Sequence, residues 1–161
     1  MMDISKLVYR KMTLDDISSI VSIEQEAFTT PWTFDAFVNE LTNNMFAKYM
    51  VQEYCGDIIG YGGMWVIMNE AHVTNIAIRA DYRGKGLGNA LLAELQRTAV
   101  FFGADKMTLE VRVSNELAQN LYRKHGFVPS GIRPGYYSDH EDALIMWAEL
   151  EHLKAGAEAK W

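Results

Sequence analysis

Apolar residues recur at intervals of three and four in four segments of the chain, a spacing that predicts amphipathic helices packed against a core. A residue suited to cap a helix precedes three of these segments, and a glycine that can end a helix follows two of them. The four predicted helices run from Thr13 to Ala27, from Thr33 to Asn43, from Leu87 to Phe102 and from Asn115 to Tyr122.

Between these segments the chain is rich in β-branched and aromatic residues or alternates between apolar and polar ones, which predicts strands. Predicted strands cover residues 46–54, 58–68, 71–78, 106–113, 127–132 and 143–148, and one further strand precedes the first helix. The run from Ile58 to Met68 is the longest apolar one, but it is about half the length needed to cross a bilayer. We therefore expect it to be a buried strand. The order of elements predicts a mixed α/β or α+β sheet domain.

The chain has 161 residues, the length of one ordinary domain. We expect residues 1–150 to form a single domain and residues 151–161 to form a C-terminal tail that is helical or flexible. The sequence contains 15 Lys and Arg residues against 21 Asp and Glu residues, a formal net charge of −6. This charge repels phosphate backbones and favours a basic partner, so direct binding to nucleic acid is not expected.

Cys55 is the single cysteine of the sequence, so no internal disulfide can form. The amino-terminal residues lack the apolar h-region of a secretory signal, and no apolar run is long enough to span a membrane. We therefore expect a cytoplasmic protein with no membrane association. The oligomeric state does not follow from these features, although a monomer is slightly favoured.

Alternating glycines from Arg83 to Asn89, between a predicted strand and a predicted helix, form the first candidate site. Glycines allow successive backbone N–H groups to turn toward one point, and the start of a helix adds its positive dipole end, so the segment could hold an anion. It is not a P-loop, because no Gly-Lys-Ser/Thr closes it. Residues 79–82 separate it from the strand, unlike the dinucleotide-binding fingerprint. From these residues alone, a plain turn is an equally good interpretation.

Glu110 and Tyr122 are the candidate proton-transfer residues. Alternation along residues 106–113 puts Glu110 with Thr108 and Arg112 on one face of the strand. The opposite face carries Met107, Leu109, Val111 and Val113. Glu110 could be a general base beside a cleft, or an ordinary strand carboxylate near Arg112. Tyr122 could protonate a sulfur leaving group, or be a core tyrosine.

Other catalytic constellations are not supported. The four histidines lack the spacing of a metal-binding set, so no metal site is expected. Ser138, Asp139 and His140 have the residue types of a catalytic triad, but neighbours in sequence rarely converge as one. Cys55 lies in a predicted turn with no adjacent base, which argues against a thiol nucleophile. A hydrolase is therefore disfavoured.

The motifs of the chain, taken in order, resemble the GNAT family of N-acetyltransferases. The segment Arg83-x-x-Gly86-x-Gly88 is similar to the family signature for the coenzyme A pyrophosphate, with a strand before it and a helix after it. Within the family, the chain resembles the enzymes that acetylate the amino-terminal alanine of a ribosomal protein. That similarity covers nearly the whole chain, through residues 24–28, Pro31-Trp32, 75–78, 109–115, 121–127, 136–137 and 141–146.

The resemblance implies a GNAT fold, α/β (α+β), with a single mixed, mostly antiparallel sheet of six to seven strands and about four helices. It implies acetyl-coenzyme A (acetyl-CoA) as the cofactor, Glu110 as general base and Tyr122 as general acid. The implied cofactor-binding residues are Ile76, Ala77, Ile78, Arg83, Gly84, Lys85, Gly86, Leu87, Gly88, Asn89 and Asn115. The implied substrate-binding residues are Glu26, Phe28, Trp32, Tyr136 and Tyr137.

We expect direct transfer without an acyl-enzyme. A neutral α-amine attacks the thioester, Glu110 takes its proton, backbone N–H groups near Ala77 and Ile78 hold the oxyanion, and Tyr122 protonates the leaving thiolate. The expected partner is a protein amino terminus, that of small-subunit ribosomal protein eighteen. Two alternatives remain: a GNAT enzyme that acetylates a small amine or a lysine side chain, and a non-catalytic coenzyme A-binding module.

Overall fold

The computed structural model of the protein describes residues 2–154. Across this range it contains seven strands and four α-helices. The strands are β1 Leu7–Lys11, β2 Ala47–Tyr54, β3 Asp57–Ile67, β4 Glu70–Ile78, β5 Lys106–Arg112, β6 Val128–Arg133 and β7 Ala143–Glu149. The helices are α1 Ile17–Ala27, α2 Phe34–Asn43, α3 Leu87–Phe101 and α4 Glu116–Lys124. The expected mixed sheet with about four helices is confirmed.

All seven strands form one sheet in the order β1-β2-β3-β4-β5-β7-β6. Neighbouring strands are antiparallel except β4 and β5, which run parallel and are joined through α3. Their pairing is short, because it extends only from Glu70 opposite Lys106 to His72 opposite Thr108. Beyond that point the two strands are not paired with each other. A gap therefore opens in the middle of the sheet, between the carboxyl-terminal halves of β4 and β5.

The predicted caps fix where the helices begin. The Thr13 N–H donates to Asp16 Oδ2 at 2.7 Å, as expected for a capping box, and a 3₁₀ turn leads into α1. The Thr33 hydroxyl accepts from the Ala36 N–H at 3.1 Å at the start of α2, and Asn115 Oδ1 accepts from the Ala118 N–H at 3.1 Å at the start of α4. These side chains replace hydrogen bonds that the first turn of a helix cannot make internally. The three predicted helix starts are thus confirmed.

Two hydrophobic clusters lie on the two faces of the sheet. On one face α1 and α2 pack through Ile20 and Phe37 against Tyr61 of β3. On the other face α3 and α4 pack through residues such as Leu91 and Tyr122, which join Met107, Leu109, Phe127 and Met146. Because α1 and α2 contact mainly β2 to β4, the same face of β5 is left less covered.

Two details differ from the sequence expectations. Met68, predicted to end a strand, lies in the β3–β4 turn and is 89% exposed. Val113, predicted to continue the buried face of β5, follows the end of that strand and is 42% exposed. Of the predicted tail, residues 151–153 form one 3₁₀ turn, and residues 155–161 lie outside the described residues. Between residues 2 and 154, no helix combines the length and hydropathy needed to cross a membrane.

Candidate active site

The gap between β4 and β5 is lined on one side by backbone groups of β4. The Arg79 N–H donates to the Ile59 carbonyl of β3 at 2.7 Å, and Ala77 is paired with Tyr61 of the same strand. Because antiparallel pairing alternates, the backbone groups of Ile76 and Ile78 turn away from β3 and toward the gap. The backbone of Ala77 is directed to β3, so of the three predicted residues only Ile76 and Ile78 offer backbone groups to a ligand.

The glycine-rich loop lies at the carboxyl end of β4 and leads into α3. Gly84 and Gly86 have φ angles of +78° and +81°, and among residues 2–154 no atom beyond the adjacent residues lies within 4 Å of the position that a Cβ would occupy at either glycine. The N-cap residue of α3 is Gly86, which has no side chain to cap the helix, so the N–H groups of the first turn are available to a ligand. An open cradle with left-handed glycines at a helix start fits an anion such as a pyrophosphate.

The other residues of this segment have mixed environments. Arg83 Nε donates to the Ile78 carbonyl at 3.0 Å, which ties the loop to β4, and Leu87 is buried. Lys85 is exposed. A Cβ at Gly88 would be 3.4 Å from Leu121 Cδ2, an ordinary contact, so the packing of α3 against α4 does not by itself require a glycine here.

The two predicted asparagines take part in the fold. Asn89 Oδ1 is 3.0 Å from His125 Nε2, and Asn115 Oδ1 caps α4. One polar atom of each side chain is therefore already engaged. The Nδ2 group of each side chain is not used in these contacts and can donate to a cofactor without a change in the fold.

Glu110 of β5 stands beside the gap, on the face away from α3 and α4. Its carboxylate is 8% exposed; Oε2 lies 2.6 Å from His72 Nε2, and Oε1 lies 3.3 Å from Arg133 Nε. Burial alone would raise the pKa of Glu110, but the hydrogen bond and charge of His72 and the charge of Arg133 outweigh it and lower the pKa. Glu110 is therefore ionised at neutral pH and can accept a proton or a hydrogen bond.

His72 and Arg133 are the residues of this site that the sequence interpretation missed. The sequence interpretation considers His72 only as a metal ligand, and within residues 2–154 no group of three or more His, Cys, Asp or Glu side chains could hold a metal ion. A signal was present: alternation along β4 buries Ala71 and Val73 and turns His72 to the other face. Since an ionised carboxylate only accepts hydrogen bonds, His72 Nε2 must carry the proton in this contact.

Tyr122 of α4 approaches from the opposite face of the sheet, as a member of the cluster beneath α3. It is 8% exposed, and its ring packs against Phe127 with centroids 5.7 Å apart. Burial raises the pKa of Tyr122 to about 12. The phenol is thus neutral across the physiological range and remains a hydrogen-bond donor.

Tyr136 and Tyr137 lie in the β6–β7 loop, close to Glu110. Burial, together with the negative charge of Glu110, raises the pKa of Tyr136. Burial also raises the pKa of Tyr137, with smaller contributions from Tyr136 and then from Glu110. The guanidinium of Arg112 lies 4.2 Å from the centre of the Tyr137 ring and holds it in place. The structure thus brings both predicted tyrosines to the edge of the site around Glu110.

The α1–α2 loop forms the rim next to the β6–β7 loop. Buried Glu24 fixes it, since Oε2 accepts from the Trp32 N–H at 2.8 Å. Thr30 Oγ1 lies 2.8 Å from Ser138 Oγ and so joins this loop to the β6–β7 loop. Phe28 is 40% exposed beside it.

Glu26 has a structural contact instead of facing this rim. Its Oε1 accepts from the Ala80 N–H at 2.7 Å, which connects α1 to the turn after β4. Its carboxylate is therefore directed at the base of the glycine-rich loop. One carboxylate oxygen of this predicted substrate-binding residue is thus engaged within the fold.

The geometry as a whole suits transfer of an acyl group to an amine. An ionised carboxylate lies on one face of the gap, and a neutral phenol approaches from the other. Backbone groups of β4 line the gap, and an anion cradle lies at its end. A proton acceptor and a proton donor on opposite sides of a narrow opening can serve the attacking and the leaving group separately.

Comparisons with known proteins agree with this geometry. The profile of the Acetyltransferase (GNAT) family matches residues 17–127. A protein of Bacillus subtilis strain 168, provisionally named ribosomal protein bS18-alanine N-acetyltransferase, is 46% identical over 147 residues, 91% of this chain and 97% of the relative. An N-alpha-acetyltransferase of Sulfurisphaera tokodaii is 33% identical over 154 residues, 88% of this chain and 92% of that protein. The crystal structure of the ribosomal-protein-S18-alanine N-acetyltransferase from Escherichia coli superposes with a TM-score of 0.82 at 31% identity, covering 89% of this chain and 94% of that chain.

Proposed function

The chain belongs to the GNAT family of acetyltransferases, and on that premise we propose that it acetylates the α-amine of a protein amino terminus. The expected acceptor is the amino-terminal alanine of small-subunit ribosomal protein bS18, the substrate named for the relatives from B. subtilis and E. coli. The observation that carries the proposal is the position of Glu110, an ionised carboxylate beside the gap between β4 and β5 whose side chain is only 8% exposed.

Acetyl-CoA, which GNAT acetyltransferases use, supplies an activated thioester. The open cradle at Gly84 and Gly86 and the uncapped start of α3 fit its pyrophosphate, because both present N–H groups to an anion. The backbone groups of Ile76 and Ile78 that face the gap would orient the pantetheine and acetyl portion. We assign the N–H of Ile78 to the carbonyl oxygen of the acetyl group.

Glu110 is the proposed general base. Its carboxylate accepts the amine proton directly or through one water molecule, while the hydrogen bond from His72 fixes its orientation. Tyr122 is the proposed acid on the other face, where it donates a hydrogen bond toward the leaving sulfur. Because burial raises its pKa to about 12, well above that of a thiol, Tyr122 stabilises the developing thiolate mainly through this hydrogen bond, and complete transfer of its proton is uphill.

An α-amine suits this base better than a lysine side chain does. The lowered pKa of Glu110 makes it a weak base, so the acceptor amine has to lose its proton readily. A peptide α-amine has a pKa of about 8 and lysine one of about 10.4, so deprotonating lysine near neutrality costs roughly 3 kcal/mol more. The net charge of −6 further favours a basic acceptor segment.

The test is acetyl transfer from acetyl-CoA to an Ala-starting peptide of the bS18 amino-terminal sequence. Wild type is compared with Glu110→Gln and Tyr122→Phe, with Glu70→Gln and Tyr54→Phe as matched variants outside the gap. We expect both site variants to lower kcat by ~10²-fold or more, the usual effect of losing acid–base catalysis, and the matched variants to stay near wild type.

Lysine-only peptides and a polyamine serve as acceptor controls. Their acetylation in place of the Ala-starting peptide would favour the lysine or small-amine alternative. Binding of acetyl-CoA without transfer to any acceptor would instead favour the non-catalytic coenzyme A-binding module.

A further inference from the structure

A cavity of about 740 Å³ lies between α2 and the ends of β2 and β3. It is called the α2 groove here, and its main lining residues are Trp32, Asn39, Asn43, Met45, Phe46 and Trp65. We infer that the α2 groove binds the acceptor polypeptide downstream of its first three residues and takes a neutral apolar or aromatic side chain at the fourth. This inference rests on the proposed function.

The α2 groove is continuous with the candidate active site. Trp65 and His72 are paired across β3 and β4, with ring centroids 6.2 Å apart, and His72 contacts Glu110 at 2.6 Å. An extended peptide advances about 3.3 Å per residue, so Trp65 lies on the order of three residues from an amine held at Glu110. Trp32 also lines the groove, and it belongs to the α1–α2 loop that forms one rim of the active site.

The lining selects an uncharged side chain. Glu40 is the charged residue of the wall, but Oε1 accepts from Trp65 Nε1 at 2.8 Å and Oε2 accepts from Asn44 Nδ2 at 2.6 Å. Because Glu40 is held by these donors and is only 7% exposed, it presents little surface to a side chain in the groove. Met45 is 80% exposed and Phe46 is 43% exposed, so an apolar occupant would remove a large apolar surface from water.

The groove also offers hydrogen bonds to a peptide backbone. Asn43 Nδ2 donates to Asn39 Oδ1 at 2.8 Å, which pairs one half of each amide. The other halves, Asn39 Nδ2 and Asn43 Oδ1, have no partner among residues 2–154. They provide one donor and one acceptor on the exposed side of α2, the two groups that an extended backbone requires.

The first experiment compares three Ala-starting acceptors: a three-residue peptide and two seven-residue peptides that differ only in Phe or Gly at the fourth position. We expect the Phe peptide to have a kcat/KM about five- to tenfold above that of the Gly peptide, mainly through KM. In Met45→Ala/Phe46→Ala this ratio falls toward one. Met68→Ala is the matched control, because Met68 is 89% exposed and does not line the groove. Equal kcat/KM values for the two seven-residue peptides with wild type would overturn the inference.

The second experiment locates the bound peptide without requiring turnover. A seven-residue peptide with a benzophenone side chain at the fourth position is photocrosslinked to the full chain and mapped by mass spectrometry. Crosslinks at Met45 or Phe46 would support binding of the peptide in the α2 groove. If the peptide crosslinks there but is not acetylated, only the proposed function is refuted. Acetylation with crosslinks only elsewhere would refute the groove and leave the function standing. If the chain self-associates instead of crosslinking to the peptide, and the Met45→Ala/Phe46→Ala variant does not self-associate, the groove is an interface between two copies of the chain. That result would overturn the inference.

Discussion

Gly63 of β3 is the position where one added methyl group should do the most damage. A Cβ at residue 63 would lie 2.2 Å from Tyr49 Cε2 and 2.6 Å from Tyr49 Cζ. Carbon atoms in contact are normally about 3.5–4.0 Å apart, so the Tyr49 ring would have to move by more than ~1 Å. Tyr49 is 2% exposed and its ring lies against those of Trp32 and Phe37, so it cannot move without disturbing these neighbours.

The cost of Gly63→Ala follows from these contacts. Overpacking a core typically costs about 1–3 kcal/mol. Displacing Tyr49 also weakens its hydroxyl contacts with Thr74 at 2.9 Å and with Glu40 at 3.3 Å, and each hydrogen bond lost costs about 1 kcal/mol. We therefore expect the free energy of unfolding to fall by about 3 kcal/mol, which lowers the Tm of a chain of this length by roughly 6–12 °C.

The assay is urea and thermal unfolding of Gly63→Ala, with Gly131→Ala as the matched control. A Cβ at Gly131 would meet Ile145 Cδ1 at 3.8 Å, an ordinary contact, so this variant should stay within about 0.5 kcal/mol of wild type. Since Glu40 also bonds Trp65 beside His72, Gly63→Ala should lower acetyl transfer as well. A small surface change shifts the Tm by roughly 2 °C. If the Tm of Gly63→Ala differs from that of Gly131→Ala by no more than this, the packing argument is refuted.

Three further predictions concern the cofactor loop, an ion pair and the base. Gly86→Ala forces a left-handed φ on an L-residue, so we expect a loss of about 1 kcal/mol in thermal unfolding and a raised KM for acetyl-CoA; an unchanged KM would contradict the cradle. The hydrogen bond from Arg10 lowers the pKa of Asp16 against the effect of burial, so Asp16 stabilises the fold above its unfolded pKa and less as pH falls. Asp16→Asn should therefore cost about 1–2 kcal/mol at pH 7, and its Tm difference from wild type should shrink on acidification to about pH 3; a constant difference would refute this. Because His72 helps to lower the pKa of Glu110 against burial, His72→Phe should raise that pKa and move the acid limb of the kcat/KM profile to higher pH; a limb that stays in place would contradict the assignment.

Much of the fold could be predicted because its signals are local. The caps at Thr13, Thr33 and Asn115 are contacts within three residues, so spacing along the chain identifies them. The faces of β5 follow from simple alternation, which placed Glu110 opposite the core side correctly. The glycine-rich start of α3 could be recognised in the sequence because the positive φ angles of this loop favour glycine at particular positions.

What surrounds Glu110 was decided by tertiary structure. Alternation gives the face of a side chain, but it does not give the residue on the neighbouring strand. His72 is 38 positions away in sequence and meets Glu110 only through the parallel register of β4 and β5. Arg133 reaches it only because β7 lies between β5 and β6 in the sheet.

The other site residues also divide into what the sequence determined and what the tertiary structure decided. By itself the sequence determined which residue types were available: a strand carboxylate, a helical tyrosine and a glycine-rich turn. The tertiary structure decided that Tyr122 approaches from the face opposite Glu110 and that Glu26 is held by the Ala80 N–H. It also decided that the backbone of Ala77 turns to β3. The physical reason is that propensity and periodicity act over a few residues, whereas strand order and register bring together residues far apart in the chain.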